Sequence, residues 1–245
     1  MKKSPMGNIP PPPFASGAGI DILHGIHGAK EARGAAVIID VFRAFTLAPC
    51  AFSRGATDVI PVAEIAAARR WKAAHPDGVL VAERGGKPVP GADFGNSPWD
   101  ILAADLTGRA VIHATSAGTR GLMGATGADI VLTGAFVNAG AIVRFLHRRN
   151  PKQISLVAMG SAGRRPSPED TACAEYIRDR LRGRKPNFSA IADALRNSPE
   201  GRKFGDPSRP WFPAGDLDVC LDLDRFSRVF LLKNGKEGAR LRAAD

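Results

Sequence analysis

Four short segments of this 245-residue chain combine residue types that could do chemistry. They are Asp40-Val41-Phe42-Arg43, Glu83-Arg84-Gly85-Gly86, Thr115-Ser116-Ala117-Gly118-Thr119-Arg120, and Gly160-Ser161-Ala162-Gly163-Arg164-Arg165 with Glu169-Asp170 just beyond. Each follows an apolar run with the look of a buried strand. In an open α/β sheet the ends of such strands are where ligands bind, so the four segments are expected to meet at one crevice. Asp40, Glu83, Glu169 and Asp170 offer hard oxygen ligands of the kind magnesium takes. No His or Cys cluster accompanies them, which argues against zinc. Arg43, Arg84, Arg120 and Arg164 offer forked donors for phosphate, carboxylate or sulfonate. Ser116, Gly118 and Thr119 fall at an expected helix start, where free N–H groups favour anions. Metal, guanidinium groups and backbone donors together would stabilise a phosphoryl transition state.

Every segment also has a plainer reading. Asp40 could be a helix N-cap, and Thr115-Ser116 could do the same for the next helix. Glu169 and Asp170 sit in a first helical turn, where acids suit the macrodipole. Asp93 could hold a loop through an Asx turn, and Asn96-Ser97-Pro98 reads as an N-cap followed by Pro at the first helical position. Recurrence of the pattern at four strand ends favours the functional reading.

The elements that must position these residues alternate. Strands are expected at residues 20–23, 35–41, 58–62, 79–82, 110–114, 130–132, 154–159 and 226–232. Helices are expected at 44–54, 63–74, near 97–98, 119–123, 138–147, 168–181, 189–197 and 216–221. A Gly-rich link joins the first two strands. Residues 83–98 read as a long loop, too rich in Gly and Pro for helix or sheet. The alternation implies an α/β fold with a largely parallel or mixed sheet. Residues 1–19 are rich in Pro, Gly and Ser and are expected to be disordered or loosely attached. Residues 20–232 form the α/β domain, divisible into two sub-domains near 125–150, and 233–245 read as a charged tail that frays.

Composition narrows the function classes. Apolar residues make up 44 % of the chain, as in globular proteins, and no apolar run is long enough to span a bilayer. The Met1-Lys2-Lys3 start lacks a following apolar stretch, so a cytoplasmic location is expected. Cys50, Cys173 and Cys220 are too few and too scattered for a disulfide framework or a zinc site. The net charge of +10 suits an anionic partner, yet the basic residues form no long run and no aromatic stacking motif accompanies them. Nucleic acid and membrane are therefore not expected; small anionic substrates account for the charge. A second copy of the chain, as a homodimer, is an open option.

In their order the segments resemble the 2-phosphosulfolactate phosphatase family. The matching pieces are Ile39-Asp40-Val41-Phe42-Arg43-Ala44, Ile60-Pro61-Val62-Ala63-Glu64, Glu83-Arg84-Gly85-Gly86 and the run from Pro90 to Pro98. They continue with Thr115 to Arg120, Gly134-Ala135-Phe136-Val137-Asn138-Ala139 and Glu169-Asp170-Thr171-Ala172-Cys173-Ala174. The resemblance covers about residues 20–183, with a weaker echo over 216–232. It implies a three-layer α/β/α fold and a magnesium-dependent phosphomonoesterase that converts 2-phospho-3-sulfolactate to sulfolactate on a route to coenzyme M. The expected catalytic residues are Asp40, Arg43, Glu83 and Arg84, with Asp40, Glu83, Glu169 and Asp170 on the Mg2+ ion. Ser116, Gly118, Thr119, Arg120, Asn96 and Arg164 are expected to bind substrate. The family commonly has Thr-Thr-Asn-Gly-Thr where this chain has Thr115-Ser116-Ala117-Gly118-Thr119, and Arg-Ala-Thr-Ser-Thr where it has Arg43-Ala44-Phe45-Thr46-Leu47. Both departures are expected near the pocket and leave two alternatives open: another small phosphorylated hydroxy acid as substrate, or a non-catalytic binder of small anions. Water is the simplest nucleophile. An aspartyl-phosphate on Asp40 is the alternative, although Phe42 stands where common phosphoaspartate enzymes carry a second Asp.

Overall fold

A computed structural model describes residues 18–235 and 238–245; the expectation for residues 1–17 lies outside them. The first long apolar run shows how the layers arise. Ala35–Ile39 (β2) is buried at every position. Its odd residues Val37 and Ile39 enter one core cluster, and its even residues Ala36 and Ile38 enter another. A strand buried on both faces needs helices on both faces, and side chains that alternate with period two serve the two layers. The result is the expected three-layer α/β/α arrangement.

Strands among the described residues are Gly19–His24 (β1), β2, Asp58–Pro61 (β3), Val79–Arg84 (β4), Lys87–Pro88 (β5), Ala110–Ala114 (β6), Ile130–Gly134 (β7), Gln153–Ala158 (β8), Val229–Gly235 (β9) and Gly238–Ala244 (β10). Their order across the sheet is β1-β8-β2-β7-β9-β10-β3-β6-β4-β5. β1, β8, β2 and β7 form one parallel block, and β3, β6 and β4 form a second. The antiparallel hairpin β9–β10 lies between them, joined to the first block through Leu132↔Leu231 and to the second through Leu241↔Val59. Two half-sheets thus replace one uninterrupted parallel sheet. The chain leaves the second block between β6 and β7, but β1 and β2 already belong with β7 and β8, so the blocks interleave in sequence.

The helices are Gly25–Glu31 (α1), Ala44–Ser53 (α2), Ile65–Ala74 (α3), Pro98–Ala103 (α4), Gly118–Gly124 (α5), Ala139–Arg149 (α6), Pro168–Leu181 (α7), Phe188–Arg196 (α8) and Ala214–Cys220 (α9). Phe145 and Leu146 of α6 and Cys173 and Ile177 of α7 pack in one core with β2, β7 and β8. Phe45 and Leu47 of α2, Ile101 of α4 and Leu122 of α5 pack in the second, which reaches strands of both blocks. Local chemistry sets the helix starts. Ser97 accepts the Asp100 N–H with Pro98 following it, and α7 opens on Pro168 with Glu169 and Asp170 in its first turn and Arg178 and Arg180 in its last.

Three sequence expectations are corrected. The Gly-rich link after β1 is helix α1, whose Gly28 packs against Leu23 so closely that a Cβ would lie 2.8 Å from the Leu23 Cβ. The start of the 83–98 loop is a hairpin: Gly85 and Gly86 take φ of +61° and +85° between the paired Arg84 and Lys87, the positive φ values a two-residue type I′ turn needs. The charged tail is strand over its described residues up to Ala244. Leu241 is fully buried and Ala239 nearly so, and Arg240 and Arg242 both pair with Asp58 of β3, so these two charges lie beside an acidic partner while Ala239 and Leu241 face the core.

Candidate active site

The ends of β2, β4, β6 and β8 do meet. Asp40, Glu83, Ser116 and Gly160 line one cavity of about 200 Å³, joined there by Glu169 and Asp170 from the first turn of α7. Asp170 ties two strand ends together: its Oδ1 accepts the Val41 N–H at 2.7 Å and its Oδ2 accepts the Gly160 N–H at 2.8 Å. Glu83 does the same for the β4–β5 turn and the start of α5. It accepts the Ser116 N–H and hydroxyl and, at 2.7 Å, the Gly86 N–H. Gly85 in turn donates its N–H to the Ser116 hydroxyl at 3.0 Å.

Asp40 and Glu169 are less committed. Asp40 Oδ1 accepts a long 3.2 Å bond from the Ala44 N–H, which is part of the capping role the sequence allowed. Gly118 lies against this carboxylate, and a Cβ there would come 2.8 Å from Asp40 Oδ2. Burial, then repulsion from Glu83 and Glu169, lifts the Asp40 carboxyl to about 7. Burial also raises Glu169, and burial with repulsion from Glu169 and Asp40 raises Asp170 well above the carboxylate range. Glu169 Oε2 is buried with no hydrogen-bond partner. Crowded carboxyls held out of water with one oxygen unmatched fit a bound cation.

The four-carboxylate ligand set is corrected by this geometry. Among the described residues no three His, Cys, Asp or Glu side chains group closely enough to hold one metal. Glu83 and Asp170 already serve backbone donors through both oxygens. Asp40 and Glu169 remain, which suits magnesium, an ion that keeps several waters and takes one or two carboxylates.

The arginines separate into two roles. Arg43 reaches the cavity wall but is 2 % exposed, its Nη1 donating to Asp216 Oδ2 at 2.7 Å and to the Trp211 carbonyl at 2.6 Å, its Nη2 to the Gly86 carbonyl. Phe212 covers the guanidinium at 4.3 Å. The expected anion clamp at Arg43 is therefore a structural anchor, because a buried acid from α9 claims it first. Arg84, Arg120 and Arg164 instead line an adjoining pocket with Glu64, and Ser116 and Ala162 form walls of both spaces. Thr119 is also corrected: its hydroxyl bonds within the Thr115–Thr119 capping pair, buried in the first turn of α5. Asn96 lines the main cavity, and its Oδ1 faces His113 Nε2 at 3.1 Å. Asp93 holds the loop not through an Asx turn but by accepting the Leu80 N–H of β4 at 2.7 Å and pairing with Lys72 at 2.9 Å.

Of the two departures in sequence, only one touches the cavity. Ala117 lines it, whereas Phe45 and Leu47 are fully buried in the core, Phe45 beneath Gly118. Sequence reasoning missed Asp216, His113 and the segment that supplies Glu200, Lys203, Phe204 and Phe212 to the cavity wall. Three aromatic residues, Phe204, Trp211 and Phe212, within a Gly- and Pro-rich stretch were the available signal.

Hard oxygen donors beside a cluster of guanidinium groups suit an α/β enzyme that acts on small phosphorylated anions. The family model described as 2-phosphosulpholactate phosphatase matches residues 20–235. A Synechococcus protein (strain JA-2-3B'a(2-13)) named probable 2-phosphosulfolactate phosphatase is 36 % identical over 216 residues, covering 79 % of this chain and 86 % of its own. A Bacillus subtilis (strain 168) protein of the same name is 31 % identical over 204 residues, covering 82 % and 88 %. One from Gloeobacter violaceus is 36 % identical over 168 residues, covering 68 % and 71 %. This chain belongs to the 2-phosphosulfolactate phosphatase family, and it is accordingly a phosphoric monoester hydrolase. No helix among the described residues is long and apolar enough to cross a membrane.

Proposed function

We propose that the chain hydrolyses 2-phospho-3-sulfolactate to sulfolactate and phosphate with the aid of Mg2+. The substrate is taken from the names of the relatives. The observation that carries the reading is the pairing of a buried carboxylate cluster with a neighbouring pocket of guanidinium groups. Asp40 and Glu169 would hold the ion, which supplies polarisation of the phosphoryl group and cancels the repulsion between carboxylates and phosphate. The carboxylate chamber alone would repel a phosphate dianion, so the phosphoryl group enters it only with a cation.

The remaining roles belong to the chain's own side chains. Arg84, Arg120 and Arg164 bind the carboxylate and sulfonate of the substrate in the adjoining pocket, which orients the ester oxygen toward the carboxylates. Water attacks phosphorus, the P–O bond to the hydroxy acid breaks, and one proton of the attacking water passes to the leaving alkoxide, giving the free hydroxy acid and hydrogen phosphate. Glu83 and Asp170 keep the strand ends in register through their backbone bonds. Phe204 and Phe212 wall the cavity and exclude bulk water.

The test is phosphate release from phosphosulfolactate, phospholactate and related phosphorylated hydroxy acids, with Mg2+ and with chelator. Turnover of phosphosulfolactate that stops on chelation is expected. Turnover unaffected by chelation removes the magnesium role, preference for another acid reassigns the substrate, and no turnover of any ester leaves an anion binder.

A further inference from the structure

The buried imidazole below the main cavity has no role in the scheme above. His113, on β6, is 1 % exposed and touches the cavity only through Asn96, which is 6 % exposed and lines it. His113 Nε2 lies 3.1 Å from Asn96 Oδ1, while His113 Nδ1 is buried with no partner. Only one proton placement fits. A proton on Nδ1 would leave an orphaned buried N–H and set the Nε2 lone pair against the Oδ1 lone pairs. A proton on Nε2 makes the bond and leaves only a bare ring nitrogen unmatched. Burial drives the imidazole to about 4, so it stays neutral at working pH. With Oδ1 fixed by this donor, the amide of Asn96 cannot turn over. Its Nδ2 group makes no hydrogen bond among the described residues and is left to the cavity wall.

We propose that His113 is a positioning residue that locks Asn96 in the orientation presenting its Nδ2 donor to the phosphoryl oxygens of the substrate. The inference rests on the phosphatase reading for its substrate. The chemistry is specific: an amide flipped the other way would face an anion with a carbonyl oxygen and repel it. Asn96 sits in the same cavity as Asp40 and Glu169 rather than in the arginine pocket, so the phosphoryl end is the group it meets.

The variants are His113→Leu, which removes the donor, His113→Gln, whose terminal amide can restore one near Nε2, and Asn96→Asp, which replaces the donor with an acceptor. Two readouts are needed: KM and kcat for phosphate release, and the affinity of the protein for inorganic phosphate with Mg2+ by calorimetry. His113→Leu is expected to raise KM and the phosphate Kd about tenfold, the loss of one hydrogen bond to a charged group, with kcat within about threefold. Asn96→Asp is expected to raise both further, and His113→Gln to recover most of the loss. The 15N shifts of His113 should show Nε2 protonated between pH 5 and pH 8, by about the range in which a neutral imidazole is required. Equal damage from His113→Gln and His113→Leu in proteins of unchanged melting temperature, or a phosphate Kd unmoved by Asn96→Asp, overturns the proposal. Because the phosphate affinity and the tautomer are read without turnover, a failed substrate assignment leaves them standing and is told apart from failure of the positioning role.

Discussion

Asp40 concentrates the chemistry at the residue scale. It lies between the Gly118 backbone and two other acids, and its carboxyl is lifted from 3.8 to about 7 by burial and by Glu83 and Glu169. A carboxyl held above its unfolded value binds its proton more tightly in the folded chain. The stability it lends is complete below the unfolded value of 3.8 and is lost as pH rises through about 7. In chelator, Asp40→Asn should therefore raise the melting temperature more at pH 8 than at pH 5. About 2–4 °C of difference corresponds to roughly 1 kcal/mol in a chain of this size, and an equal shift at both pH values refutes the argument. The same substitution should lower kcat by about 10²–10⁴-fold, the range for a group that handles a proton or a metal at the reacting centre. In the adjoining pocket, Arg120→Gln and Arg164→Gln should each raise KM roughly tenfold with kcat little changed, since each removes a charge-assisted bond made equally before and during reaction. A fall in kcat with KM unmoved would instead mean that these arginines make contacts realised only in the transition state.

At the scale of elements, one buried acid joins three helices to the site. Asp216 on α9 takes the Arg43 guanidinium with one oxygen and, with the other, the Ser97 hydroxyl and Trp99 N–H at the start of α4. Arg43 in turn reaches back to the Gly86 carbonyl in the β4–β5 turn and packs under Phe212. The cavity wall formed by the segment before α9 thus rests on an ion pair, and the pair is almost wholly out of water. Asp216→Ala strands a buried guanidinium and should cost about 3–5 kcal/mol in urea unfolding. A loss below about 1 kcal/mol would mean that water reaches Arg43 and that the segment is not anchored there. This is also why Arg43 misled the sequence reading. An Arg three residues past a strand-end Asp looks like an anion clamp until a partner 173 positions away is known to hold it.

For the whole molecule, the C-terminal hairpin decides whether the two parallel blocks form one body. Leu231 of β9 pairs with Leu132 of the first block and Leu241 of β10 pairs with Val59 of the second. Removing residues 233–245 takes away all of β10, the Arg240 and Arg242 pairs with Asp58, and a fully buried leucine. The truncated chain should lose its cooperative thermal transition, as seen by circular dichroism; a frayed tail would have been dispensable. The site depends on this joint, because Asp40 and Glu169 come from the first block while Glu83 and Ser116 come from the second.

Much of this protein was legible without coordinates because it rests on local rules. Continuous apolar runs such as Ala35–Ile39 declare buried strands, Ser97-Pro98 and Pro168-Glu169-Asp170 declare helix starts, and the recurrence of acids and arginines at strand ends marks the crevice. The motifs also marked the family. What the sequence could not decide is which polar side chain finds which partner across the fold. Capping pairs such as Thr115 with Thr119 absorb a residue that looked free, and a long-range acid absorbs Arg43, whereas Glu169 Oε2 and the Asn96 amide keep unused capacity. Register across the sheet, and the burial it imposes, sets that division: hydrogen bonds and charges act over a few ångströms, and only the tertiary structure brings residues from opposite ends of the chain that close.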